Sequence, residues 1–406
     1  MSRAPLLAFA FASVTLPAAA QSVQWHGFVE TRAIAFDGDD DRWLDGGHGK
    51  ARTDARHDGV TAYGVLAAQW QATPELFLSA EAQYVPEARR PLDLIDASLR
   101  WRPVSTTPWR TTLRAGMFFP PVSLENDAVG WTSPWTLTPS AINTWVGEEL
   151  RTLGLEGRIE HRGERGTFGA GLALFVQNDP AGELLATRGW AMHDIVAGLD
   201  GSLRQPDDIA ASVEGTPPVR FRPFIEMDHR PGVYATVDWR TPAQSRVVFT
   251  AYDNRADATR EIDYAGRELY AWRTRFWSAA GEHRIGDIVL LAQLMRGSTL
   301  VEPMPRLQFD TRFAAGYLLA GWERGAWRPA LRVDLFQAKQ TPGGGAFARD
   351  EHGRAFTAAL NWRPNDRLRV TAEALHIDST RPQRRAQGLA PRQRETQLQA
   401  SLRWFF

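Results

Sequence analysis

Arginine is the dominant chemically capable residue in this chain. Of its 47 basic residues only Lys50 and Lys339 are lysines, so almost every cation is a planar guanidinium fork suited to carboxylate and phosphate. Arg100, Arg110, Arg114, Arg158, Arg273, Arg275, Arg312, Arg332, Arg369 and Arg403 fall in segments where polar and apolar residues alternate. If they share one wall, a ladder of this kind concentrates anions, because a low-dielectric enclosure focuses the field. Glu156, Glu160, Asp238, Asp287, Asp334 and Glu373 occupy the same segments or their neighbours. A mixed, ion-paired wall with weak selectivity is therefore the slightly favoured reading.

Other constellations lead less far. Asp37, Asp39 and Asp41 match the first ligand spacings of a calcium-binding helix–loop–helix, but Arg42 stands where that loop needs glycine and His48 where it needs glutamate. A solvated acidic run, or one bridging lipopolysaccharide through divalent ions, fits better. No cysteine is present, which excludes disulfides and thiol chemistry. No HExxH, nucleophile elbow or phosphate loop is found. Glu148 and Glu149 are adjacent, so in a strand they would point apart. No metal, cofactor or catalytic residue is expected. The balance of 47 basic and 47 acidic residues argues against a nucleic-acid partner.

Elements that could position the arginines are strands. Residues 1–20 carry Arg3, an apolar run from Ala4 to Val14 and Ala18-Ala19-Ala20, the plan of a cleaved signal peptide. Residues 21–406 then form a single unit. Mean hydropathy is −0.34, and no later apolar stretch has the ~18 residues of a spanning helix. Segments of about ten residues alternate in polarity between turn residues, the mark of a membrane barrel strand. Seven hairpins are predicted, among them 91–102 with 109–118, 148–161 with 165–177, 268–279 with 284–296 near Gly281, and 308–322 with 326–338. Single strands at 23–37 and 394–406 flank them. The sum is about sixteen strands. Connections on one rim are short; on the other most are long (38–57, 119–147, 178–229, 255–267, 297–307, 339–353 and 378–393), as periplasmic turns and extracellular loops are. The expectation is an all-β, transmembrane antiparallel barrel in the outer membrane of a Gram-negative cell. Tryptophans at strand ends (Trp239, Trp322, Trp327, Trp362, Trp404) would form interfacial girdles.

Two segments resemble known families. The end, SLRWFF, with Leu402, Trp404 and Phe406, resembles the terminal strand signal of outer-membrane proteins, which the barrel assembly machinery recognises. The run RAGMFFPPVSLEN from Arg114 to Asn126 resembles a segment of the phosphate-selective porins O and P. That resemblance implies a sixteen-stranded homotrimer whose cationic wall binds phosphate, and a loop folded into the lumen, here 119–147. This chain departs from the family in its near absence of lysine. Trp131, Trp135 and Trp145 give the loop more apolar surface than a free loop would hold, since burial is favourable. It makes either a constriction, with Glu125 and Asp127 touching solute beside Arg114 and Arg158, or a packed contact. The function expected is passive diffusion of small hydrophilic, anionic solutes. A barrel enzyme of the lipase or protease type, or an adhesion barrel using the 178–229 loop, are the rivals.

Overall fold

The computed structural model describes residues 23–39, 41–206, 220–243, 245–264, 268–343 and 348–406; residues 1–20, the predicted signal peptide, lie outside them. Sixteen strands close into one antiparallel barrel, as the alternation predicts. They are β1 (Gln24–Asp37), β2 (Gly59–Gln71), β3 (Leu76–Tyr84), β4 (Leu92–Trp101), β5 (Trp109–Phe118), β6 (Thr152–Gly163), β7 (Gly166–Val176) and β8 (Gly232–Arg240). There follow β9 (Arg246–Asp253), β10 (Arg273–Ile285), β11 (Ile288–Met304), β12 (Leu307–Trp322), β13 (Trp327–Thr341), β14 (Glu351–Asn365), β15 (Leu368–Thr380) and β16 (Arg392–Phe405). Strand β1 pairs with β16, with Ala33 opposite Ala400. Gly27 and Phe406 exchange backbone hydrogen bonds at the seam.

The two-residue side-chain period sorts every strand into two faces. Along β16, Gln393, Glu395, Gln397, Gln399, Ser401 and Arg403 face the lumen and are buried, while Leu398, Leu402 and Trp404 are exposed on the outer face. Trp25, Trp101, Trp109, Trp239, Trp322, Trp327 and Trp362 are likewise exposed near the short turns, where an interfacial girdle belongs.

Three predicted boundaries shift. The hairpin placed near Gly281 turns instead at Gly286-Asp287, and Gly286 takes the positive φ; Gly281 lies within a strand. The expected long loop 297–307 is only the turn at Pro305-Arg306, because β11 and β12 continue as a tall hairpin. Strand β6 starts at Thr152 rather than 148, because a helix, α1 (Ala141–Glu149), occupies those residues. Its N-cap Ser140 accepts the Asn143 backbone N–H, satisfying an orphan donor.

Candidate functional site

The loop from Phe119 to Arg151 folds into the barrel and is fastened to almost every side of it. The Pro121 carbonyl accepts from Thr250 Oγ1 at 3.1 Å and the Val122 carbonyl from Gln293 Nε2 at 2.7 Å. Gly130 N–H donates to Glu81 at 2.9 Å. Asn361 Nδ2 donates to the Trp135 carbonyl at 2.8 Å, and Glu373 accepts the Leu137 and Thr138 N–H groups at 2.5 and 3.1 Å. Gly321 lies under the Trp135 ring, and a Cβ there would come within 2.3 Å of it.

Arg332 is the main rivet. Its Nε donates to Asp334 at 2.7 Å, and its two terminal nitrogens reach Glu125 (2.5 Å) and the carbonyls of Thr138 (2.7 Å) and Pro139 (3.0 Å). Arg332 and Glu125, both expected to touch solute, instead bond each other with fully buried side chains. Each answers the other's desolvation, which an isolated buried charge could not survive. Asp127 is exposed on the underside of the loop.

A second and a third loop come inward above the first. Residues 178–206 belong to the expected long loop 178–229, yet α2 (Glu183–Arg188), Trp190 and Met192 are buried. The apolar residues Leu184, Leu185, Trp190 and Met192 were the available signal for this. Burial pushes the Glu183 carboxyl up to about 8. The 38–58 loop joins them: Lys50 pairs with Glu351 at 2.5 Å, and Asp194 holds Arg32 and Arg52 at 2.8 and 2.6 Å. At the end of α1, Glu148 accepts from Trp43 Nε1 (2.6 Å) and contacts His193 (2.9 Å), while Glu149 accepts from Trp145 Nε1 (2.8 Å) and Leu185 N–H (2.8 Å). These two carboxylates fasten loops together.

Below the loops, strands β3 to β8 leave a recess of about 390 Å³ lined by Arg100, Arg102, Arg110, Arg114, Arg158 and Arg240 with Glu156 and Glu160. Arg100, Arg114 and Arg158 were expected to face solute together; Arg102 and Arg240 were missed because they end their strands, although the spacing from Arg100 to Arg102 continues the same face. Asp96 holds Arg114 at 3.0 Å, and Asp238 and Glu160 hold Arg158. Arg100 lies over the Phe77 ring at 4.7 Å. Among the described residues, Arg100, Arg102 and Arg110 have no ion-pair partner. The recess is roofed by Arg114 over Phe118 at 4.5 Å and, higher, by Arg151 over Phe119 at 3.6 Å. Gly116 bends this corner with φ 131°, where a Cβ would meet the Ala97 carbonyl at 2.2 Å; this is a physical reason for the glycine of the Gly116-x-Phe118 segment.

A second recess, of about 690 Å³, opens on the other side of the loop between Arg328, Arg363, Arg369 and Arg403. Arg403 pairs with Glu30 at 2.6 Å and Arg328 with Glu323 at 2.9 Å, while Arg369 donates to the Ser133 carbonyl at 3.2 Å.

Three expected wall residues are not in the lumen. Thr274, Phe276 and Thr311 face inward, so Arg273, Arg275 and Arg312 face outward. They lie at the loop end of strands taller than predicted, above the apolar band. Asp179, Glu226 and Asp228 gather within ligand range of one another, but they accept the N–H groups of Met227, Gln177 and Arg230 and serve as loop clamps. A contact between Ser245 and His283 at 2.8 Å lies at the exposed short-turn rim.

No protein-family model matches the chain, and no curated protein does. Solved structures do. OmpT of Vibrio cholerae in its trimer form aligns over 95% of this chain and 99% of its own, with 10% identity and a TM-score of 0.53. An anion-selective porin from Comamonas acidovorans aligns over 95% and 99%, with 11% identity and a TM-score of 0.53. The outer-membrane channel DcaP of Acinetobacter baumannii aligns over 95% and 97%, with 10% identity and a TM-score of 0.55. The chain has the fold of these Gram-negative outer-membrane porins and channels, a closed sixteen-stranded antiparallel β-barrel.

Proposed function

We propose that this protein is a porin that passes small hydrophilic anions, phosphate-like species among them, along the β3–β8 wall. The observation that carries this is the arginine recess. Six guanidinium groups and two glutamates line one water-accessible space, and three of the arginines have no carboxylate of their own. A solute anion entering it meets focused positive potential. Arg114 and Arg158 are its solute contacts, each held in place by a carboxylate. The porin works as a homotrimer, consistent with the trimeric neighbour, and the terminal strand with Leu402, Trp404 and Phe406 is its signal to the assembly machinery.

Recording in a planar bilayer under a KCl gradient, with phosphate then added, tests this. Conductance in threefold steps, an anion-selective reversal potential and block by phosphate are expected. Open conductance with no selectivity would retire the anion path. A folded barrel that conducts nothing would return the question to an enzyme or an adhesin.

A further inference from the structure

The recess on the far side of the inward loop differs in chemistry from the one on the β3–β8 wall. It opens at the short-turn rim, beside Gly325 of the β12–β13 turn and Pro364, Asn365 and Asp366 of the β14–β15 turn. Val129, Thr132 and Pro134 of the loop close its inner end. Among the residues lining the β3–β8 recess, Phe77 is the single hydrocarbon side chain. Here Phe28, Val129, Pro134, Leu368 and Phe405 give the lining a large apolar share.

The cations of this recess are not equal. Arg403 and Arg328 have their own glutamates. Arg363 and Arg369 have no ion pair among the described residues. Trp362 is opposite Val370, which puts Arg363 and Arg369 on adjacent strands at one level. Arg369 is 2% exposed. One of its terminal nitrogens donates to the Ser133 carbonyl, while its Nε and Nη2 meet no acceptor. The Nε of Arg363 meets none either. A buried guanidinium without a counter-charge is costly, and a low-dielectric enclosure extends its pull on an anion.

We infer that this recess is a binding site for an aromatic carboxylate. The carboxylate takes the Arg363 fork in two parallel hydrogen bonds and offsets the charge of Arg369 beside it. The ring lies on the apolar lining, where its burial is favourable. A volume of about 690 Å³ suits a drug-sized organic molecule rather than a lone inorganic ion. Asp127 and Asp366 at the edges of the recess favour a singly charged head over a doubly charged phosphate ester. A molecule so placed touches loop and wall together and ties the 119–151 loop to β14 and β15. The inference does not rest on the anion path, and its test does not need conduction, so each can fail alone.

The test uses the full chain in lipid nanodiscs, with 2-naphthoate as the probe, titration calorimetry as the readout and empty nanodiscs as the blank. Saturable binding of one molecule per chain is expected. Naphthalene-2-methanol keeps the rings without the charge, and acetate keeps the charge without the rings. Each should bind far more weakly than naphthoate, and neither comparison needs a variant. Arg363→Gln removes charged hydrogen bonds and should bind naphthoate about tenfold or more weakly. Arg363→Lys keeps the charge without the fork and should fall between. Arg363 is partly exposed, and the heat-resistant mobility of the folded barrel on a gel verifies that these variants fold. Arg100→Gln, in the other recess, should bind as the parent does. No saturable binding, equal binding of the neutral alcohol, or unchanged binding by Arg363→Gln overturns the proposal. So does an equal loss in Arg100→Gln, or displacement of naphthoate by an equal concentration of inorganic phosphate, which makes the recess part of the anion path.

Discussion

The two sides of the lumen use the same residue in opposite ways. On the wall of β1 and β13 to β16, arginine is a fastener: Arg32, Arg332 and Arg403 are buried with carboxylates and loop groups around them. On the wall of β3 to β8, arginine lines open space, and Arg100, Arg102 and Arg110 face a recess without partners. The difference does not lie in the arginines. It lies in where the inward loops go. They carry Glu125 and Asp194 to one wall, where the recess among Arg328, Arg363, Arg369 and Arg403 also opens, and bring no carboxylate to Arg100, Arg102 and Arg110 on the other. A charge buried with its partner is structural, and a charge left in water is available to solute.

The sharpest way to break this contrast is to remove a fastener. Arg332→Ala strands Glu125 and Asp334 without their cation and should cost ~3–5 kcal/mol. The barrel should unfold at lower temperature, and limited proteolysis should cut the 119–151 loop. Unchanged protection of that loop would show that its grip lies elsewhere. Next comes Gly321→Ala, whose Cβ would meet the Trp135 ring at 2.3 Å; overpacking of this kind costs ~1–3 kcal/mol. Fluorescence of Trp135 should move to longer wavelength as the ring is displaced toward water.

A smaller effect is expected on the open wall. Arg100→Gln with Arg110→Gln should leave stability unaltered and lower the anion-to-cation permeability ratio several-fold. The change should shrink in concentrated salt, where charges are screened over ~3 Å at 1 M. A stability loss equal to that of Arg332→Ala would erase the distinction between the walls. Smallest is a pH effect on α2. Burial raises the Glu183 carboxyl to about 8, above the ~4.3 of an unfolded chain. Its folded form keeps a proton that the unfolded form has lost, so the seat of α2 is firmest in acid, weakens as pH rises toward 8, and is level beyond. Protection factors for hydrogen exchange at residues 183–190, with the intrinsic base-catalysed rate divided out, should fall over that interval, and Glu183→Gln should remove the slope.

Much of the barrel could be read from the chain because a strand writes its faces into alternate residues. The sixteen strands, the short-turn rim and the tryptophan ends were all legible in this way. Height was less so. Residues 297–307 contain Gly297, Ser298 and Pro303, which read as a loop, yet β11 and β12 pair through them into a tall hairpin. That error sent Arg273, Arg275 and Arg312 to the wrong face. Alternation tells which residues share a face but not which face is inside once apolar neighbours give way to polar ones above the membrane. The inward loops were half legible. The tryptophans of 119–147 announced burial, but nothing local could reveal that Glu125 would meet Arg332, since that contact joins residues 207 positions apart.

That separation carries a consequence for how the molecule comes into being. The 119–151 loop lies early in the chain, yet it is held by Arg332, Asn361 and Glu373, on strands that lie late in it. Until those strands are in place the loop has, of these wall contacts, only those to Glu81, Thr250 and Gln293, and closing the longer span to Arg332 carries an entropic cost. The narrowing of the lumen is therefore a finishing event: the loop is fully seated across the barrel only as the last strands close.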